Sequence, residues 1–420
     1  MFERPLTGLV LSGGGARAAY QVGVLRALAR LRREVLSPRL RIHNPFGVIS
    51  GTSAGAINAA ALAAYADRFD AAVEVIARVW QDFSAEQVYR ADSIGVLRSG
   101  AQWLTMLSVG WVIARWRRAR PRSLLDNEPL ADLVQRLVPL ERLPTMLGRG
   151  HLHALAVTAS SYTSGEHFTF FTAADRIQPW ERSQRVAVPC RILHEHLLAS
   201  SAIPFVFPAQ QLTAGGCAAW FGDGSMRNTA PIAPAIHLGA HRLLIIGAGR
   251  MHEPAGRKVP DTGYPNLAQI AGHAMSSIFL DSLAVDIERM RRINRTLALL
   301  PESTLADTQL RPIETLVIAP SQRVDDIAAR HIGHLPRPVR ALLRGAGVGG
   351  EGATARGAAL ASYLLFEAPF TRELIALGES DTLARRHEVL QFFGWDTSAS
   401  LRGGRPDVDV DAGPPDIELP

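Results

Sequence analysis

Apolar residues along the chain fall into two kinds of stretch that alternate. Short unbroken runs, Leu9-Val10-Leu11 and residues 46–49, end in serine or glycine and read as buried strands. Each is followed by a helical stretch, 18–36 after the first and the alanine-rich 56–66 after the second. Further strands are predicted at 154–159, 167–171, 243–246 and 315–318, and helices at 71–82, 266–300 and 354–393. In the 266–300 helix, Asp281, Asp286, Glu288 and Arg289 read as a solvated or internally paired face rather than a site. This alternation predicts an α/β domain, and no internal repeat interrupts it.

Two stretches break the pattern. Residues 97–122 carry Trp103, Leu104, Met106, Leu107, Trp111 and Trp116, and run into Arg115, Arg117, Arg118, Arg120 and Arg122. The apolar part is too short and interrupted to span a bilayer, which takes about 20 apolar residues. An aromatic face leading into arginines suits an interfacial helix or a lid, and equally a helix packed on the domain with its basic end in water. Beyond Trp395 the chain is rich in Gly, Pro and Asp, has little to bury and is expected to be disordered. The organisation expected is an α/β domain over 1–320, a helical extension over 321–394 and a tail over 395–420.

Candidate chemistry sits where strands give way to helices. Gly-Thr-Ser-Ala-Gly at 51–55 places Ser53 on a strand-to-helix turn, with Gly51 and Gly55 leaving room for the sheet and helix behind it. The helix that starts there aims N–H groups and the positive end of its dipole at the serine. Upstream, Gly13, Gly14, Gly15, Ala16 and Arg17 follow the first strand. Bare glycine amides make a nest for an anion, and in acyl transfer that anion is the tetrahedral oxyanion. Arg17 either adds charge there or is solvated. Downstream, Trp220-Phe221-Gly222-Asp223-Gly224-Ser225 offers Asp223 as a general base, or as an ordinary Asp-Gly turn.

Rival readings of these glycines need partners the sequence lacks. Gly13, Gly15 and Ala18 fit a dinucleotide fingerprint, but the acidic residue expected about 20 positions on is represented only by Glu34, in a helical stretch. The glycine run at 345–352 lacks the Gly-Lys-Ser/Thr ending of a phosphate loop and reads as a flexible connection.

Together, Gly-Gly-Gly-Ala-Arg at 13–17, Gly-Thr-Ser-Ala-Gly at 51–55 and Asp-Gly-Ser at 223–225 resemble the patatin-like phospholipases. The blocks at 198–208 and 123–130 resemble further segments of that family, and 361–367 its bacterial members. The resemblance implies a three-layer sandwich with a mostly parallel central sheet, helices on both faces and a helical C-terminal extension. It also implies lipid acyl hydrolysis by a Ser53–Asp223 dyad, with an oxyanion hole of Gly13, Gly14 and Gly15 assisted by Arg17, and support from Gly51, Gly55 and Gly224. Ser225 and Ala18 depart from the family, which usually has glycine or alanine at the first and often glycine at the second. A Ser–His–Asp triad would need His237, His241, His252 or His273, and only one strand–helix unit precedes Ser53, against the order usual in that fold.

Composition narrows the partners. The 420 residues are 47% hydrophobic, enough for a large core. Lys258 is the sole lysine among 45 basic residues, and the net charge of +6 suits an anionic membrane surface; no nucleic-acid module is recognisable. Two cysteines, Cys190 and Cys217, give no disulfide framework. His194 and His196 would face different sides of a helix, so no metal site is expected, and the chemistry requires no cofactor. The start shows no basic, apolar and cleavage regions of a secretory signal, and a cytoplasmic protein is expected, with possible membrane association. The substrate class is phospholipid or lysophospholipid. Acyl transfer to an acceptor other than water, or lipid binding without catalysis, are the alternatives.

Overall fold

The computed structural model describes residues 5–90, 123–251, 264–308, 310–349 and 357–396. The 97–122 segment, His252 and most of the tail lie outside them. Among the described residues, ten strands make one mixed, mostly parallel sheet. They are β1 Thr7–Leu11, β2 Val48–Thr52, β3 Ala154–Ser161, β4 His167–Ala173, β5 Glu181–Arg182, β6 Arg185–Pro189, β7 Gln210–Ala214, β8 Cys217–Asp223, β9 Arg242–Ile246 and β10 Glu314–Ile318. The order is β10-β9-β1-β2-β3-β4-β6-β5, with β7 and β8 as a hairpin beside β3. From β10 to β3 every pairing is parallel.

Alternation along the strands explains why helices cover both faces. Leu9, Leu11, Ile49, Leu155, Leu244 and Ile246 enter one apolar cluster, and Val10, Val48, Ala156, Leu243 and Ile245 enter the other. Helices α1 Ala19–Val35, α2 Ala54–Ala64 and α3 Phe69–Gln81 cover the first face. They are joined by α4 Glu128–Leu137 and α5 His194–Ser200.

Residues after 320 build on this layer through α6 Val324–His331, α7 Ala358–Ser362 and α8 Ala368–Ala384. Helix α8 lies against α1 at a crossing that only glycine allows. A β-carbon at Gly23 would come within 2.0 Å of the Ile375 carbonyl, and one at Gly378 within 2.3 Å of the Tyr20 carbonyl. The predicted 266–300 helix is present as Leu267–Ser276 and Ser282–Leu297, joined through a π-helical turn at Ser277–Asp281. By length and composition Leu267–Leu297 is long and apolar enough to cross a membrane. Here Phe279, Leu283, Ile287 and Met290 pack it onto the domain.

Candidate active site

The sheet brings Ser53 and Asp223 together by sharing one edge of β3 between two strands. Strand β2 pairs with β3 as far as Thr52 beside Thr158. The next β3 residue, Ala159, pairs instead with Asp223 at the end of β8. The chain leaves β2 at Ser53 where β8 arrives, so the two side chains meet although 170 residues separate them. Ser53 Oγ donates to Asp223 Oδ2 at 2.6 Å, and both residues are buried.

Tight packing forces the turn around the serine. Ser53 has φ 56° and ψ −133°, a conformation costly for a residue with a side chain. A β-carbon at Gly55 would lie 2.5 Å from the Leu11 carbonyl, and one at Gly51 2.5 Å from the Gly55 carbonyl. Both glycines therefore let α2 start directly against β1 and β2. The strained serine is held by its own N–H, which donates to Ser200 Oγ at 2.8 Å. Gly224 has the same tight setting, its β-carbon position 2.2 Å from the Thr158 carbonyl.

Burial pushes the Asp223 carboxyl up to about 6, offset by hydrogen bonds from the Ser53 hydroxyl and the Ser225 N–H. A carboxylate of that basicity is better suited to accept a proton near neutral pH than an ordinary one. The Ser225 hydroxyl is buried beside the carboxyl and also favours its charged form. It lies 2.2 Å from the place a β-carbon would occupy on Gly13, and Ser53 Cβ lies 3.1 Å from the same place.

The glycine loop therefore abuts the nucleophile. Among the described residues, the N–H groups of Gly13, Gly14 and Gly15 donate to no protein acceptor. The loop is fixed at its far end, where the Ala16 N–H donates to the Tyr363 carbonyl at 3.1 Å. That carbonyl sits 2.3 Å from where a Gly15 β-carbon would be, so position 15, with φ 54°, admits only glycine. The Arg17 guanidinium is engaged away from the serine. Its Nε donates to Ser362 Oγ at 2.7 Å, its Nη2 to Asp325 Oδ1 at 2.6 Å, and it stacks 4.1 Å over the Tyr363 ring. Arg17 is thus neither solvated nor paired with the dyad; it ties the loop to α6 and α7.

Beside Ser53 an apolar cleft runs between α2, α3 and α4. Ile57, Ile76, Trp80, Leu133, Phe207 and Phe366 line it. Asn58 is among the few polar groups on its wall. His237 stacks on Trp180 at 4.7 Å, and burial keeps His237 and His241 below the ordinary histidine range. No histidine among the described residues hydrogen-bonds to Ser53 or Asp223. Nor do those residues contain a cluster of metal-ligating side chains.

A family model described as patatin-like phospholipase matches residues 9–236, more than half of the chain. The chain belongs to the patatin-like phospholipase family. As a patatin-like phospholipase it falls among the lipid acyl hydrolases, and its mixed sheet flanked by helices is the architecture expected. No curated protein matches by sequence. Among solved structures, VipD from Legionella pneumophila is 13% identical, with 89% of this chain and 67% of that one covered and a TM-score of 0.31. Human GIVD cytosolic phospholipase A2 is 13% identical at a TM-score of 0.44, with 95% of this chain covered; the chain spans 63% of that protein's length. The type III effector ExoU, from Pseudomonas aeruginosa, is 15% identical at a TM-score of 0.28, with 96% and 90% covered.

Sequence reasoning missed Ser200 and Tyr363. Ser200 stands inside the 198–208 block, so a signal for it existed. Tyr363 likewise stands inside the 361–367 block, but the role of its carbonyl is one that no side-chain motif reveals.

Proposed function

We propose that the protein hydrolyses fatty-acyl esters of phospholipids or lysophospholipids, with Ser53 as nucleophile and Asp223 as general base. The observation that carries this reading is the buried 2.6 Å hydrogen bond from Ser53 Oγ to Asp223 Oδ2, at the mouth of an apolar cleft. Ser53 Oγ attacks the ester carbonyl carbon as its proton passes to Asp223. The oxyanion is held by the free amides of the glycine loop, where a donor is typically worth about 2.7–4 kcal/mol. The intermediate collapses, the C–O bond to the alcohol breaks, and the alcohol takes the proton from Asp223. Water then attacks the acyl-serine, giving its proton to Asp223; the fatty acid leaves and Ser53 regains its proton. The acyl chain lies in the cleft between α2, α3 and α4. Arg17 acts as an anchor of the loop.

Labelling with a fluorophosphonate tests this on the wild type, Ser53→Ala and Asp223→Asn. Adduct formation is expected in the wild type, none in Ser53→Ala and little in Asp223→Asn. Undiminished labelling of Ser53→Ala would place the nucleophile elsewhere. A silent wild type beside a reactive control hydrolase would favour lipid binding without catalysis.

A further inference from the structure

Three buried polar side chains that the dyad does not use link the wall of the acyl cleft to the root of the glycine loop. Each comes from a different helix: Trp80 from α3, Asn58 from α2 and Gln21 from α1. Trp80 Nε1–H donates to Asn58 Oδ1 at 2.9 Å, Asn58 Nδ2–H to Gln21 Oε1 at 3.3 Å, and Gln21 Nε2–H to the Ser12 carbonyl at 2.7 Å. Chemistry fixes the direction at both ends. An indole N–H only donates and a carbonyl only accepts, so each amide between them has one workable orientation.

The Ser12 carbonyl belongs to the first peptide of the glycine loop. The N–H and hydroxyl of Ser12 are both held by the Ile246 carbonyl, at 3.4 and 3.1 Å. Gly13 and Gly14 have no side chains to steady them, so Gln21 sets the plane of the peptide from which the free amides continue. At the other end, Trp80 and Asn58 line the cleft that Ser53 opens into. Asn58 lies five helical residues beyond Ser53, about 7.5 Å along α2. An extended octanoyl chain is long enough to span that rise, and a butyryl chain is not. Apolar side chains would close this wall without three buried polar groups needing partners.

We propose that Gln21, Asn58 and Trp80 form a positioning relay through which filling of the acyl cleft sets the aim of the glycine loop. The proposal rests on the catalytic reading above. Its consequence is that acyl length acts on kcat as well as on KM, because remote binding is converted into alignment of the oxyanion donors.

The test uses the full chain and its Gln21→Met, Trp80→Phe and doubly substituted forms. For each, kcat and KM are measured on p-nitrophenyl butyrate and octanoate, alongside fluorophosphonate labelling. The wild type is expected to show a higher kcat on octanoate. Gln21→Met keeps the side-chain length but loses both hydrogen bonds. It should lower the octanoate kcat about tenfold, a part of the 10²–10³ lost with a whole oxyanion donor. KM should stay within about threefold, labelling should remain stoichiometric, and the octanoate preference in kcat should flatten. Trp80→Phe, which keeps a ring but loses the N–H, should do the same more weakly. The double variant should match Gln21→Met alone, as members of one chain do. An unchanged kcat and preference in Gln21→Met, or a loss confined to KM, would overturn the relay. If Gln21→Met does not fold, Trp80→Phe with wild-type length dependence overturns it. A wild type that neither labels nor cleaves either ester would instead overturn the catalytic reading, and the relay with it.

Discussion

Asp223 is held in a place where its charge is costly. Its carboxyl is fully buried and pushed to about 6, against an ordinary value of 3.8. Between those values the folded protein binds a proton that the unfolded chain does not. Stability from this group is therefore complete below about pH 4 and lost as pH rises through 6. The shift corresponds to about 3 kcal/mol. Asp223→Asn should raise unfolding stability by up to about that amount at pH 8, with the gain shrinking towards zero near pH 4. Urea unfolding at the two pH values checks this. The same ionisation governs activity in the opposite sense, since the base must be charged to accept a proton. In the wild type kcat/KM should fall on the acid side with a midpoint near 6. The strained Ser53 tells the same story: the site is kept at the expense of stability.

Among the elements, helix α8 does more than extend the domain. Through the Gly23–Gly378 crossing it fixes α1, and the segment just before it supplies the Tyr363 carbonyl and the Phe366 ring that bound the loop and the cleft. We therefore propose that 321–394 completes the catalytic unit. Gly378→Leu should push α8 off α1. Activity should fall at least tenfold, with lower thermal stability by circular dichroism; wild-type activity in a stable variant would separate the extension from catalysis. The strands at 154–159, 167–171, 243–246 and 315–318 were legible in the sequence, as were the glycine loop at 13–15 and the junctions that carry Ser53 and Asp223. Their signals are local: unbroken apolar runs and small residues at junctions. The β7–β8 hairpin was not read, because Gln210, Gln211, Cys217 and Ala218 are partly or fully exposed and show no apolar alternation. The partners of Arg17 were not read either. Asp325 and Ser362 lie more than 300 residues away, and only the docking of α6 and α7 brings them near.

For the molecule as a whole, charge supplies the argument about where it works. With a net charge of +6 carried almost entirely by arginine, and with Trp111 and Trp116 beside an arginine cluster, we propose contact with anionic membrane. Co-sedimentation with phosphatidylglycerol vesicles should exceed that with phosphatidylcholine vesicles, fall with added salt, and weaken when Trp111 and Trp116 become alanine. Equal partitioning into both vesicle types would remove the proposal.

The hairpin that delivers the carboxylate has one further implication, for where the gene can change length. On a strand, neighbouring side chains point to opposite faces, so one residue gained or lost within 217–222 would turn Asp223 away from Ser53. The tip of the hairpin is Gly215 and Gly216, both at positive φ and with open space around them. Insertions, tags or loop grafts belong at that tip, where extra chain leaves the pairing of Ala159 with Asp223 untouched.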